Sequence, residues 1–208
     1  MIESGDTKTR ILDTAERLFG LKGYENTSLR DITAEAQVNL AAVNYHFHTK
    51  DALLDAVIAR RVGPVNKRRL DMLDAAGPDP TVEQILTAFL EPVLDIGLES
   101  AVPLVGRILS SPDLFLDRVY KRHFLVVSER FRAAMIRALP GAPVDSILWG
   151  LLFTVGAMTH MMALSRILPE ITAGVCSMTD RPSIVARAVD FLAAGFRAAV
   201  HKELICAG

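Results

Sequence analysis

Cysteine is almost missing from this chain. Cys176 and Cys206 are the only two in 208 residues, and neither has a histidine or second cysteine at metal-ligand spacing. That excludes a disulfide framework and a zinc finger. Aromatic residues are scarce, at 6 %, with a single tryptophan. A surplus of one charge is also lacking: 23 Lys and Arg face 24 Asp and Glu, for a net charge of −1. Any phosphate-binding face must therefore arise from where charges sit, not from their total. No stretch alternates with period two, which argues against a sheet. There is no nucleophile elbow, glycine-rich phosphate loop, metal cluster or carboxylate pair on which to build catalysis, so no catalytic residue, metal or cofactor is assigned. The start, MIESGDTKTR, has no apolar run of the kind a secretory signal needs, and a reduced cytoplasm is the expected compartment.

What is abundant is apolar side chain, half of all residues, recurring at three- and four-residue spacing. The expected fold is all-α: an N-terminal three-helix, helix-turn-helix domain over residues 1–54, joined by a long helix to a larger helical domain over 55–208. Capping residues mark the first elements. Asp6 and Gly23 bound a helix from Thr7 to Lys22. Thr27 or Ser28 caps a helix over Ser28–Ala36, with Ser28 and Asp31 as a candidate capping box. Asn39 caps Leu40–Phe47, and Thr49 caps a helix starting at Lys50. Gly63-Pro64 predicts a kink or break, and Gly77-Pro78-Asp79-Pro80 a loop. Thr81 opens a fifth helix kinked at Pro92. Further helices are expected over Ala101–Ser111, from Pro112 to Leu139, over Val144–Leu168 and over Pro182–Leu204.

The third helix carries the chemistry. A helix that enters the major groove needs small or hydrogen-bonding residues on its outer face. Asn39, Leu40, Ala41, Ala42, Asn44, Tyr45 and His46 supply them, with Val43 and Phe47 turned to the core. Ala41 and Ala42 permit close approach, and Asn44 suits an adenine edge. Thr27, Ser28, Arg30, Tyr45, His46 and Lys50 are candidate phosphate partners, joined by helix-start amides. The triplet Lys67-Arg68-Arg69 reads as a solvated face.

The stretch Ile11–Leu54, ILDTAERLFGLKGYENTSLRDITAEAQVNLAAVNYHFHTKDALL, resembles the DNA-binding domain of TetR-family regulators. The matching features are ILDTAERLF, Gly-Tyr before Thr27-Ser28, LRDI, the turn ending in Val38, and YHF followed by Lys50. Ala41 and Asn44 depart from the residues common there. The reading segment NLAAVNYHF is similar to that of PsrA-type members, which respond to fatty acids. The resemblance implies a ligand-responsive repressor that binds a palindromic or near-palindromic operator in double-stranded DNA as a homodimer.

Two further surfaces follow from the residues. Trp149, Leu152, Phe153 and Gly156 in one late helix, with Ile184, Ala188, Phe191, Leu192 and Phe196 in the last, form stripes able to bury a dimer interface. Phe89, Val93, Tyr120 and Phe124, with Arg107 for an anionic head group, are candidates for a small apolar effector of the acyl-chain class. Leu148–Leu164 carries no Asp, Glu, Lys or Arg and approaches membrane-span length, so a membrane-associated helical bundle is one rival; an all-α enzyme with an apolar substrate pocket is another.

Overall fold

The computed structural model describes the backbone of residues 4–95 and 113–206 and the side chains of 6–94 and 117–198. Every regular element among them is a helix: α1 Ser4–Lys22, α2 Leu29–Ala36, α3 Leu40–Phe47, α4 Lys50–Ala75, α5 Val82–Asp95, α6 Asp113–His123, α7 Leu125–Ala138, α8 Val144–Leu164, α9 Leu168–Ile171 and α10 Arg181–Cys206. The expected helix over Ala101–Ser111 lies outside the described residues. The described residues fall into two compact units: 4–64 with 113–123, and 65–95 with 124–206.

In the first unit, α1 packs on α2 and α3, and α2 packs on α3. The α1 stripe Ile11, Leu12, Ala15, Leu18 and Phe19 is buried, as its spacing requires. Polar ties fix the helices around it. Glu16, itself buried, accepts from Arg60 at 2.5 Å and from Arg61 at 2.7 Å, while Arg60 also donates to Asp13 at 2.7 Å. These neighbouring carboxylates push the Arg60 pKa upward against the opposing effect of burial, which is the largest single influence on it.

The second unit is built on α5. Val82, Ile85, Leu86, Leu90 and Val93 follow helical spacing, and all are buried. α5 packs against α10 and α7, and α8 against α7 and α10. Phe131, Ala134, Met135, Ile147, Val185, Val189, Leu192 and Phe196 complete that core. Full burial of each large apolar side chain is worth about 1.5–3 kcal/mol.

Four expectations change. α1 begins at Ser4, which puts Asp6 in its first turn instead of at its cap. α4 runs unbroken through Pro64. Proline deletes one hydrogen bond, on a face where Gly63 and Pro64 are exposed to water. Gly63 lacks the Cβ that a proline ring crowds, and Val62 and Val65 on either side are buried. The long helix expected from Pro112 to Leu139 is two helices, α6 and α7, parted at Phe124 (φ −122°, ψ −22°); no proline or glycine accounts for the break. α8 stops at Leu164, and a single turn, α9, follows it.

At Gly150 the α8 backbone leaves no room for a side chain. A Cβ there would collide with the ring of Phe196, which is only 4 % exposed. Gly150→Ala should therefore cost about 1–3 kcal/mol. Thermal melting checks this, and trimming the ring as well (Phe196→Leu) should recover part of the loss beyond the sum of the single changes.

Candidate nucleic-acid interface

The interface is assembled by the two short helices and the turns around them. Ser28 sits in extended backbone (φ −93°, ψ 159°) and its Oγ accepts the Asp31 N–H at 3.1 Å. The Asp31 carboxylate in return accepts the Ser28 N–H at 2.8 Å and hydroxyl at 2.7 Å. These bonds, the hydroxyl's first, hold the Asp31 carboxyl below the usual aspartate range. Gln37 takes the left-handed conformation (φ 53°, ψ 48°), and its N–H and that of Val38 close on the Ala34 and Thr33 carbonyls. Asn39 then caps α3, its Oδ1 accepting the Ala42 N–H at 2.8 Å. Arg10, from α1, donates to the Ala36 and Gln37 carbonyls and clamps this turn.

On α3, Val43 and Phe47 are buried at 0 % and 4 % exposure. Asn39, Leu40, Ala41, Asn44 and Tyr45 are exposed, Tyr45 at 77 %, and Ala42 and His46 are half-buried. The His46 ring leans edge-on to Tyr45 with centroids 5.1 Å apart. His48 ends the helix in a γ-turn of the rare positive-φ kind (φ 63°, ψ −46°), where the Thr49 N–H donates to the Phe47 carbonyl at 2.7 Å. Thr49 Oγ1 accepts the Ala52 N–H at 3.0 Å, so α4 begins at once and Lys50 follows α3 by only three residues. Ser28 and Arg30 are exposed at the start of α2.

One expectation fails here. Thr27 has no exposed surface, and its hydroxyl donates to the Gly23 carbonyl at 2.8 Å and lies 3.3 Å from that of Leu18. It anchors the loop to α1 and presents nothing to a phosphate. Sequence reasoning missed the network that holds Lys50. The Lys50 ammonium lies 4.1 Å from the centroid of the Tyr24 ring, and the Tyr24 hydroxyl donates to Asp51, which also receives Arg118 from α6. Burial first, and then Asp51, push the Tyr24 hydroxyl up to about 12, whereas Arg118 and Tyr24 hold Asp51 low. Gly-Tyr at 23–24 was visible as a pattern, but no local signal paired Asp51 with a residue 67 positions away.

The remaining candidates divide. Trp149, Leu152, Phe153 and Phe191 are exposed at 55, 57, 64 and 78 %. Trp149, Phe153 and Phe191, with Gly150 and Gly195, border an apolar groove of about 910 Å³. Gly156 is exposed too, and Ile184 and Ala188 are half-buried. Leu192 and Phe196 are not surface residues as expected, because they are packed into the chain's own core. Of the effector set, Val93 is buried, Phe89 and Phe124 half-buried, and Tyr120 41 % exposed, against the expectation of an apolar lining; Arg107 lies outside the described residues. No cluster of three or more His, Cys, Asp or Glu able to hold a metal occurs among the described residues.

A capped helix, a tight left-handed turn and a second helix with a polar, small-residue outer face define a helix-turn-helix regulator. Family models agree on both parts of the chain. Residues 11–57 match that of bacterial regulatory proteins of the tetR family, and residues 87–195 match the tetracyclin repressor-like C-terminal domain. The chain belongs to the TetR family of bacterial regulatory proteins. It is similar to the HTH-type transcriptional regulator SrpR of Pseudomonas putida, 28 % identical over 61 % of this chain and 65 % of SrpR. It is also similar to IcaR of Staphylococcus aureus, the HTH-type negative transcriptional regulator of the biofilm operon icaADBC, 24 % identical over 54 % of this chain and 59 % of IcaR. The chain thus spans less than two thirds of either relative. A TetR-family regulator from Bordetella parapertussis shares the fold, with a TM-score of 0.65 at 15 % identity over 89 % of this chain and 93 % of that one.

The capping box sets a pH test. Because the Asp31 pKa is depressed in the fold, its contribution is present at neutral pH and is lost as pH falls through the folded value. Asp31→Asn should melt about 1–3 °C below wild type at pH 7, and the gap should close below about pH 4.

Proposed function

We propose that the chain is a ligand-responsive repressor in which residues 1–54 read an operator and residues 55–208 dimerise and bind a small apolar effector. The outer face of α3 carries this reading, since its exposed residues are the small and amide-bearing ones that major-groove entry requires. Asn44 reads a base edge, Ala41 and Ala42 allow close approach, and Leu40 packs against the groove. Ser28, Arg30, Asn39, Tyr45, His46 and Lys50 hold phosphates on either side. IcaR's description as a negative regulator supports repression. In a two-fold dimer the two α3 helices meet successive major grooves, about 34–36 Å apart. The effector, of the acyl-chain class, favours a state in which that spacing is wrong. The cytoplasm is where such a protein meets its DNA.

Operator sequences selected from a random pool give the test. Tyr45→Ala and Lys50→Ala should weaken binding on every sequence and lower the salt slope by about 1 each. Asn44→Ala should instead relax preference at one position per half-site, about 1–3 kcal/mol of discrimination. Unchanged affinity in all three sinks the assignment.

The dimer reading rests on Trp149, Leu152, Phe153 and Phe191, large apolar side chains that stand exposed on one subunit and that a partner's face would cover. α8 is also long and apolar enough to cross a membrane, with 11 % of its most apolar stretch buried, and a partner's matching face covers it equally well. Leu192 and Phe196 form the inner wall behind that face, so the informative substitution is Phe191→Asp. It should yield folded monomers by light scattering. A well-behaved dimer would move the interface elsewhere, and solubility only in detergent would favour the membrane reading.

A further inference from the structure

Arg69 is the most deeply buried cation among the described side chains. It is 4 % exposed, midway along the second unit's share of α4. Its neighbours Lys67 and Arg68 are exposed, as a solvated charged triplet would be, but helical spacing from Val62 and Val65 turns Arg69 inward. The other buried charges are paired: Glu16 with Arg60 and Arg61, and Asp55 with Arg122 and His123. Arg69 forms no ion pair with any described carboxylate. Its partners are neutral: Nε donates to the Phe89 carbonyl at 2.8 Å, one terminal nitrogen to Asn66 Oδ1 at 3.3 Å, and the other to the Met158 sulfur at 3.2 Å.

That set leaves the guanidinium short of acceptors. It has five N–H groups, and these bonds engage three. Both terminal nitrogens keep one each. The thioether of Met158 is a weak acceptor on a flexible stem, easily displaced. The Phe89 ring stacks on the guanidinium, 3.9 Å from its carbon to the ring centroid, which fixes the plane of the fork. Burial alone lowers the Arg69 pKa to about 9, so the group still carries its charge at neutral pH. A buried charge without a counter-charge is costly, and a planar, oriented guanidinium is the group that suits bidentate capture of a carboxylate.

We propose that Arg69 is an anion-binding residue in the C-terminal unit, taking the carboxylate of an organic acid; one oxygen displaces Met158 from its terminal nitrogen and the other takes the spare N–H of the nitrogen bonded to Asn66. Phe89 and Met158 then flank the carbon next to the carboxylate. The proposal rests on the reading of residues 55–208 as effector-binding and replaces Arg107 as the group that meets the head.

Thermal melting of the full chain tests it, with decanoate below its micellar concentration, benzoate, decanol and decyltrimethylammonium as probes. Each is tested on wild type, Arg69→Met and Arg69→Lys. At a hundredfold excess over Kd, decanoate should raise the wild-type melting temperature by about 5–10 °C, and decanol and the ammonium should not. Benzoate, with no chain, distinguishes a carboxylate site from an acyl-chain site: a smaller rise with benzoate than with decanoate supports the acid head plus apolar flank. Arg69→Met should melt at or above unliganded wild type, because an unpaired buried charge is replaced by a hydrophobe of similar length, and should lose the decanoate response. Arg69→Lys, a charge without a fork, should respond more weakly than wild type. The proposal is overturned if decanol matches decanoate, if Arg69→Met keeps the shift, or if Arg69→Met melts well below wild type or fails to fold, which would make the guanidinium purely structural. Melting is read without DNA, so a chain that binds no operator fails the repressor reading while leaving this result intact.

Discussion

Two side chains four residues apart, Val43 and Phe47, decide what the N-terminal unit can offer to a ligand. Both are buried, and both belong to a helix of only eight residues. A helix so short has little stability of its own and forms because its inner face is held by α1 and α2. Once those two positions are fixed inward, the 3.6-residue repeat dictates that Ala41, Asn44 and Tyr45 face out. The caps serve the same end. Ser28, Asn39 and Thr49 each occupy a helix start, so the chain spends no long loop between α2, α3 and α4, and the outward residues of α3 stay in register with Ser28 and Lys50. The strained γ-turn at His48 belongs to this economy, because it reverses the chain in one residue.

Charge is used differently in the two units. In the first, acids and bases are matched: Glu16 with Arg60 and Arg61, Asp51 with Arg118 and the Tyr24 hydroxyl, and Asp55 with His123 and Arg122. Matching of this kind holds elements in place and leaves Lys50 resting on an aromatic face, its charge available. In the second unit the exposed ion pairs Arg130–Asp74 and Arg197–Glu83 are of the surface kind that adds little. Arg69 is the exception, buried among neutral partners. Such a residue either costs the fold stability or awaits a counter-charge, and its stacking on Phe89 holds it ready for the latter.

The C-terminal unit also explains why its surface is so apolar. α8 lends Ile147, Thr154 and the space at Gly150 to the core, while Trp149, Leu152 and Phe153 project outward. Trp149 and Phe153, one turn apart, stack on each other at 5.9 Å and make a rigid, flat element of that face. A helix apolar on every side is a membrane span or a helix between two protein surfaces. Here one side is demonstrably a protein surface.

Local order was written in the sequence by itself. The helix starts at Ser28, Asn39, Thr49 and Thr81, the inward pair on α3 and the all-helical class follow from capping chemistry and periodicity, which act within a few residues. What only the tertiary structure decided are matters of distance along the chain. Thr27 reads as a phosphate partner from its place before α2, but the Leu18 and Gly23 carbonyls take its hydroxyl. Leu192 and Phe196 lie on a stripe with Phe191, yet only packing against α5 and α8 shows which of them the chain keeps for itself. Pro64 promised a break that a preceding glycine and buried valines on both sides prevented. Arg69 sat in a basic triplet whose composition spoke of water, while its spacing from Val62, Val65 and Leu73 spoke of the interior. Composition registers only that a charge is present; whether it is solvated depends on which neighbours the fold brings around it.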